Sequence, residues 1–193
     1  MKKITLVLAL AAMMMVLVLP AFAQSNNKMA AENSVLPESL VAPSSPFIVK
    51  GACPFEGCQY GTWTARAPVS LYTKVNGALM KRQIQKGDRI IALSGEVHAI
   101  PRKGTVTKVY ESDEKQGVHI GSIVYFLYPL GEGAAKVWHE GKSKNGSMDL
   151  TIQFESADTG IKTWVWWVEV RMRDGVIGWL KNPSGFEGMD RFS

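Results

Sequence analysis

The chain has 193 residues, 22 of them basic and 17 acidic, for a formal charge of +5, and 46% are apolar. That length suits one large or two small domains whose core needs no metal to close it. The modest charge excludes nucleic acid as the main ligand, because charge-driven binding demands a concentrated basic stripe.

The N-terminus carries Lys2 and Lys3, an apolar run from Ile4 to Leu19, then Pro20 and Ala21-Phe22-Ala23. Small residues at the two positions read by a signal peptidase predict a cleavable secretory leader over 1–23. A membrane anchor is the alternative, since ~17 apolar residues approach the length of a span, but Pro20 and the Ala-x-Ala site favour removal. No cysteine follows Ala23, so lipid attachment is not indicated. Cleavage would leave 170 residues beginning at Gln24 and, with two lysines gone, a charge of +3. Periplasmic or secreted localisation is expected, with no stable membrane span after cleavage. Residues 24–46, rich in Ser, Asn, Ala and Pro, show no sustained period and read as a flexible tether.

Cys53 and Cys58 enclose Pro-Phe-Glu-Gly. In an oxidising compartment this spacing predicts a local disulfide around a turn shaped by Pro54 and Gly57. A redox-active pair is the rival, but its motif has two intervening residues, not four. Two cysteines with no suitably spaced histidine do not make a zinc site, and no motif calls for any cofactor.

From residue 59 onward, short apolar or alternating runs are punctuated by Gly, Asp, Asn, Ser and Pro, which predicts an all-β protein. The expected strands are Trp63 to Ala65, Val69 to Lys74, Arg89 to Leu93, Thr105 to Tyr110, Ser122 to Tyr128, Ala135 to His139, Asp149 to Phe154, Thr163 to Met172 and Val176 to Leu180. The last two form the clearest hairpin. Trp164, Trp166, Val168, Val170 and Met172 alternate with Val165, Trp167, Glu169, Arg171 and Arg173, and Asp174-Gly175 supplies the turn. Gly178 permits close backbone approach beside Trp179, whose default role is packing. The basic groups Lys81-Arg82 with Lys86 and Arg89, and Lys142 with Lys144, read as solvated faces, although either could touch an anionic polymer.

The order Thr64-Ala65, Val69-Ser70-Leu71-Tyr72, Lys86-Gly87-Asp88-Arg89-Ile90-Ile91, then Trp167-Val168-Glu169-Val170 with Asp174-Gly175-Val176-Ile177-Gly178-Trp179, resembles the bacterial Src-homology-3-like (SH3-like) domain family. The resemblance implies one or two small SH3-like β-barrels. About eighty residues separate the Lys-Gly-Asp turn from the closing hairpin, and Gly121 to Leu127 echoes Gly87 to Leu93. A first barrel over 47–112 and a second over 113–193, with an enlarged loop at 131–160, are therefore expected in preference to one barrel with a large insertion. Domains of this family in exported proteins often recognise cell-wall peptides or envelope proteins.

The catalytic inventory points the same way. His98, His119 and His139 are the three histidines, and neither H-E-x-x-H nor a G-x-S-x-G elbow occurs. His139-Glu140 beside Trp138 is the most site-like group, although neighbouring strand residues face opposite ways. The expected ligand surface is aromatic. If Trp164 and Trp166 pack inward, Trp167, with Trp138, Tyr125, Tyr128 and Tyr72, would form an exposed groove. If they face out, the groove moves to the other side of that strand. The sequence thus predicts a non-enzymatic module, monomeric or weakly self-associating, that binds peptidoglycan or an envelope protein partner. The alternatives are an envelope hydrolase inhibitor and a cell-wall-active enzyme.

Overall fold

The computed structural model describes residues 41–147, 149–156 and 162–192. The expected leader and positions 24–40 of the expected tether lie outside the described residues, as does part of the 131–160 loop. In chain order the strands are β1 (Phe47–Lys50), β2 (Gly61–Ala65), β3 (Val69–Tyr72), β4 (Leu79–Ile84), β5 (Arg89–Ala99), β6 (Arg102–Lys108), β7 (Ile123–Gly131), β8 (Ala134–His139), β9 (Lys142–Gly146), β10 (Thr151–Phe154), β11 (Trp164–Met172), β12 (Ile177–Lys181) and β13 (Phe186–Glu187). One helical turn, α1 (Glu111–Glu114), joins β6 to β7. The protein is all-β, as its punctuation predicts. Among the described residues, no helix is long and apolar enough to cross a membrane.

Two sheets form. The larger runs β13-β2-β5-β11-β12-β3-β4, and β1 pairs with β5 beyond the end of β2; the smaller runs β10-β6-β7-β8-β9. The long strand β5 is the organiser. One of its edges takes β2 along Arg89–Ala92 and β1 along Glu96–Ala99, while β11 lies antiparallel along the other from Ile90 to Ala99. The register shift that matches Val170 to Ala92 but Glu169 to Ser94 leaves Leu93 as the extra residue of a bulge. That bulge carries the strand through Ser94-Gly95, past its expected end at Leu93. Gly95 has a packing reason as well: a Cβ there would lie 2.6 Å from the Trp166 indole nitrogen and 2.9 Å from the Trp167 carbonyl oxygen.

The strand pairing does not follow the expected division at 112/113. That point falls between β6 and β7, which pair with each other, whereas β11, β12 and β13 complete the sheet begun by β1–β5. The smaller sheet is an insertion between β5 and β11. The echo between Gly87 to Leu93 and Gly121 to Leu127 thus joins strands of different sheets, because pairing is set by the long β5–β11 ladder and not by local similarity.

Inward alternation builds the main core from Trp63, Leu71, Ile84, Ile90, Val97, Trp166, Val168, Val170, Leu180 and Phe186. Leu127 and Tyr128 of β7 enter the same core and tie the inserted sheet to the larger one. A small satellite core joins Val106, Val118, Val124, Ala135 and Val137. Beside it the carboxylate of Asp113, 1% exposed, accepts the Tyr110 N–H at 3.0 Å, the Ser147 N–H at 2.8 Å and the Ser147 hydroxyl at 2.6 Å. Those three donors are what make a buried carboxylate tolerable.

Candidate functional site

The five aromatics expected to form an exposed groove do not come together as one surface: Tyr72 meets Trp167, and Tyr125 is paired with Trp138 across β7 and β8. Trp166 packs inward, and Trp167 on the opposite side of β11 is also covered, at 2% exposure. The Tyr72 ring stands edge-on to Trp167 at 5.2 Å, with the Lys181 ammonium 5.7 Å from the indole centroid. Tyr125 and Tyr128 are buried too, and Tyr128 leans on Trp164 with centroids 6.4 Å apart. Trp138 is occupied by the chain's own N-terminal side. Its ring meets Phe47 edge-on at 5.2 Å and its indole N–H donates to the Val41 carbonyl at 3.1 Å. Positions 41–46, assigned to the tether from composition, therefore include a segment docked on the fold, with Pro43 buried.

An aromatic surface that is partly accessible through Trp164 lies on the Trp164 and Trp166 side of β11. A groove of about 320 Å3 is lined there by Pro54, Phe55, Trp164, Trp166, Pro183 and Met189, with Lys162, Asn182 and Ser184 supplying its polar groups. The loop 53–58 makes one wall. The Cys53–Cys58 disulfide closes it with a Cα separation of 5.6 Å, so the short bridge fixes where Phe55 stands. The Phe55 ring meets Trp166 at 5.7 Å and 78°, an edge-to-face contact. Behind it, the Trp166 indole N–H donates to the Ala52 carbonyl at 3.0 Å, and the Tyr60 hydroxyl donates to the same oxygen. Burial holds the Tyr60 phenol above its ordinary pKa.

Asn182 makes the opposite wall. Its φ of 45° turns the chain out of β12, a conformation asparagine tolerates better than most residues. Its backbone N–H donates to the Trp166 carbonyl at 2.7 Å and its Oδ1 accepts the Trp166 N–H at 2.9 Å. The Lys162 ammonium lies 3.6 Å from the Trp164 ring centroid, a cation–π contact. Partial burial pushes Lys162 below the usual lysine pKa. The groove thus combines flat and apolar walls with one ammonium and the amide NH2 of Asn182. Sequence reasoning placed Trp164 and Trp166 on one face but missed Phe55, Lys162, Asn182 and Met189. The disulfide loop carried the signal for Phe55; the other three are brought in by tertiary structure.

None of the described histidines forms a catalytic relay. His139 is 4% exposed, and both ring nitrogens face backbone carbonyls, Nδ1 that of Ile123 at 2.9 Å and Nε2 that of Gly117 at 3.2 Å. It clamps the 117–123 loop to β8, with the Glu140 carboxylate 3.7 Å from Nε2. His98 sits on β5 with Nε2 2.7 Å from Glu96 Oε1. Ser94, Glu96 and His98 share a strand face in that order, so the carboxylate lies between hydroxyl and imidazole. A general-base relay needs the imidazole in the middle. Among the described residues, no group of three or more His, Cys, Asp or Glu could hold a metal.

Comparison of the chain with protein-family models, with curated proteins and with solved structures finds no match to any of them.

Proposed function

We propose that the protein is an exported, non-enzymatic binding module that recognises peptidoglycan through the Trp164 groove. The observation that carries this reading is the convergence of Trp164, Phe55 and Pro54 with the Lys162 ammonium and the Asn182 amide. Aromatic and proline walls accept an aliphatic side chain or one face of a sugar ring. Lys162 and the Asn182 NH2 are donors for the carboxylate and carbonyl groups of a wall peptide. The N-terminal leader pattern supports export to the periplasm or beyond. The SH3-like order of motifs, from Thr64-Ala65 to the Asp174-Gly175 hairpin, supports a recognition role.

Co-sedimentation of residues 24–193 with purified sacculi, followed by analysis of released muropeptides, tests the reading. Retention in the pellet without released fragments is expected, and Trp164→Ala should weaken retention at least about tenfold, the scale of one lost aromatic anchor. Released fragments would make the protein an enzyme. Failure to sediment would turn the search to an exported protein partner, including a hydrolase that the module inhibits.

A further inference from the structure

The solvent side of β5 and β11 bears a second and larger depression of about 1140 Å3, distinct from the Trp164 groove. Arg82, Arg89, Arg171 and Arg173 line it, against the carboxylates of Asp88 and Asp174. The cluster gathers at one end of the β5–β11 ladder. Arg171 lies across from Ile91 and Met172 across from Ile90, the last pair of the ladder, with Arg89 and Arg173 the next residues of the two chains beyond it. Arg171 lies on the face of β11 opposite the buried Val170 and Met172, and Arg173 follows in the turn just past the strand's end; both line the depression.

Of the two acids, only Asp174 is paired with a cation among the described residues, and Asp88 is held by the backbone of its own turn; the lining therefore carries four guanidiniums against two carboxylates. Asp174 pairs with Arg82, whose guanidinium holds the Asp174 carboxyl below its ordinary pKa, and Asp88 Oδ2 accepts the Gln85 N–H at 2.8 Å. Arg89, Arg171 and Arg173 take part in no ion pair with a described residue. Like charges gathered on adjacent strands are destabilising, and an anion seated among them reverses the sign.

We propose that this cleft is an anion site for a phosphate monoester or pyrophosphate group. A guanidinium presents paired N–H donors in a planar fork suited to carboxylates and phosphates alike. Three such forks exceed what one carboxylate matches, with its two oxygens and single charge. A phosphate monoester brings three acceptor oxygens and a charge of about −1.5 to −2 at neutral pH. The volume leaves room for a group attached to the phosphate, with Ile91 and Thr62 also lining it.

The test is titration of residues 24–193 with inorganic pyrophosphate at physiological salt, read by calorimetry and by amide shifts, beside a parallel titration with citrate. Pyrophosphate should bind more tightly than citrate and shift the Ile91 and Met172 amides. Arg171→Gln and Arg173→Gln, both at exposed positions, should each weaken binding at least about tenfold, the loss of one charge-assisted contact, without lowering Tm. Lys142→Gln on β9 should change nothing. Vesicles of phosphatidic acid in phosphatidylcholine separate the sources of the phosphate. Vesicle binding displaced by pyrophosphate supports the site with a lipid headgroup as its ligand; pyrophosphate binding without vesicle binding supports it with a soluble or polymer-borne phosphate. No binding at millimolar pyrophosphate, citrate binding as tightly, or arginine variants equal to wild type would overturn the proposal.

Discussion

At the scale of single residues, function divides between side chains that look alike in the sequence. Trp166 and Trp167 are neighbours and both are buried, yet only Trp166 contributes to the groove, and half-buried Trp164 offers the accessible ring. Alternation made the two faces of β11 legible. It did not make legible which face would be covered, because Tyr72 and Lys181, which close over Trp167, arrive from other strands. Trp179 is a similar case: Gly178 and Leu180 point into the core, leaving the indole half-buried on the outer side opposite Tyr72 and Glu169.

Two predictions belong at this scale. Lys162 holds an acidic ligand only while charged, and its folded pKa is lowered by burial. Affinity for a carboxylated wall fragment should therefore be fully present well below that pKa and be lost as pH rises through it, earlier than for an ordinary lysine. Binding isotherms across alkaline pH check this, and Lys162→Gln should abolish that limb of the profile. His139→Ala removes the clamp on the Ile123 and Gly117 carbonyls. It should lower stability by roughly 1 to 3 kcal/mol in denaturant melts while sacculus binding stays unchanged.

At the scale of elements, the β11–β12 hairpin was readable from local pattern, since Asp174-Gly175 sits between alternating runs. The edge strands β4 and β9 were not. β4 is Leu-Met-Lys-Arg-Gln-Ile and β9 is Lys-Ser-Lys-Asn-Gly, and both are largely exposed on their sheet's edge. Edge strands are kept charged to discourage pairing with other chains, which erases the hydrophobic signal that would reveal them. The disulfide loop was legible from spacing, though its use as a groove wall was not. Because the loop it closes is small, the bridge restricts little of the unfolded chain. Reduction should leave the far-ultraviolet circular dichroism unchanged and weaken ligand binding by freeing Phe55. Global unfolding on reduction would show that the bridge holds far more than one wall.

At the scale of the whole molecule, the sequence showed an all-β chain but not its interleaving. The β5–β11 ladder joins segments on either side of the inserted sheet, and no local pattern announces so long a closure. The insertion is not an independent appendage, because Leu127 and Tyr128 are buried in the main core and Trp138 packs against it. Thermal unfolding should accordingly show one cooperative transition with matching calorimetric and van't Hoff enthalpies. Two resolved transitions would mean that the sheets fold separately.

The placement of the ligand site in the Trp164 groove is tested most directly by amide and indole chemical-shift mapping of residues 24–193 with soluble muropeptides. The largest changes should fall on the Trp164 and Trp166 indole N–H groups, the Asn182 side-chain amide and Phe55, with little change at Trp138 or Trp167. No shifts at saturating muropeptide, or shifts centred on Trp138 and Tyr125, would contradict it.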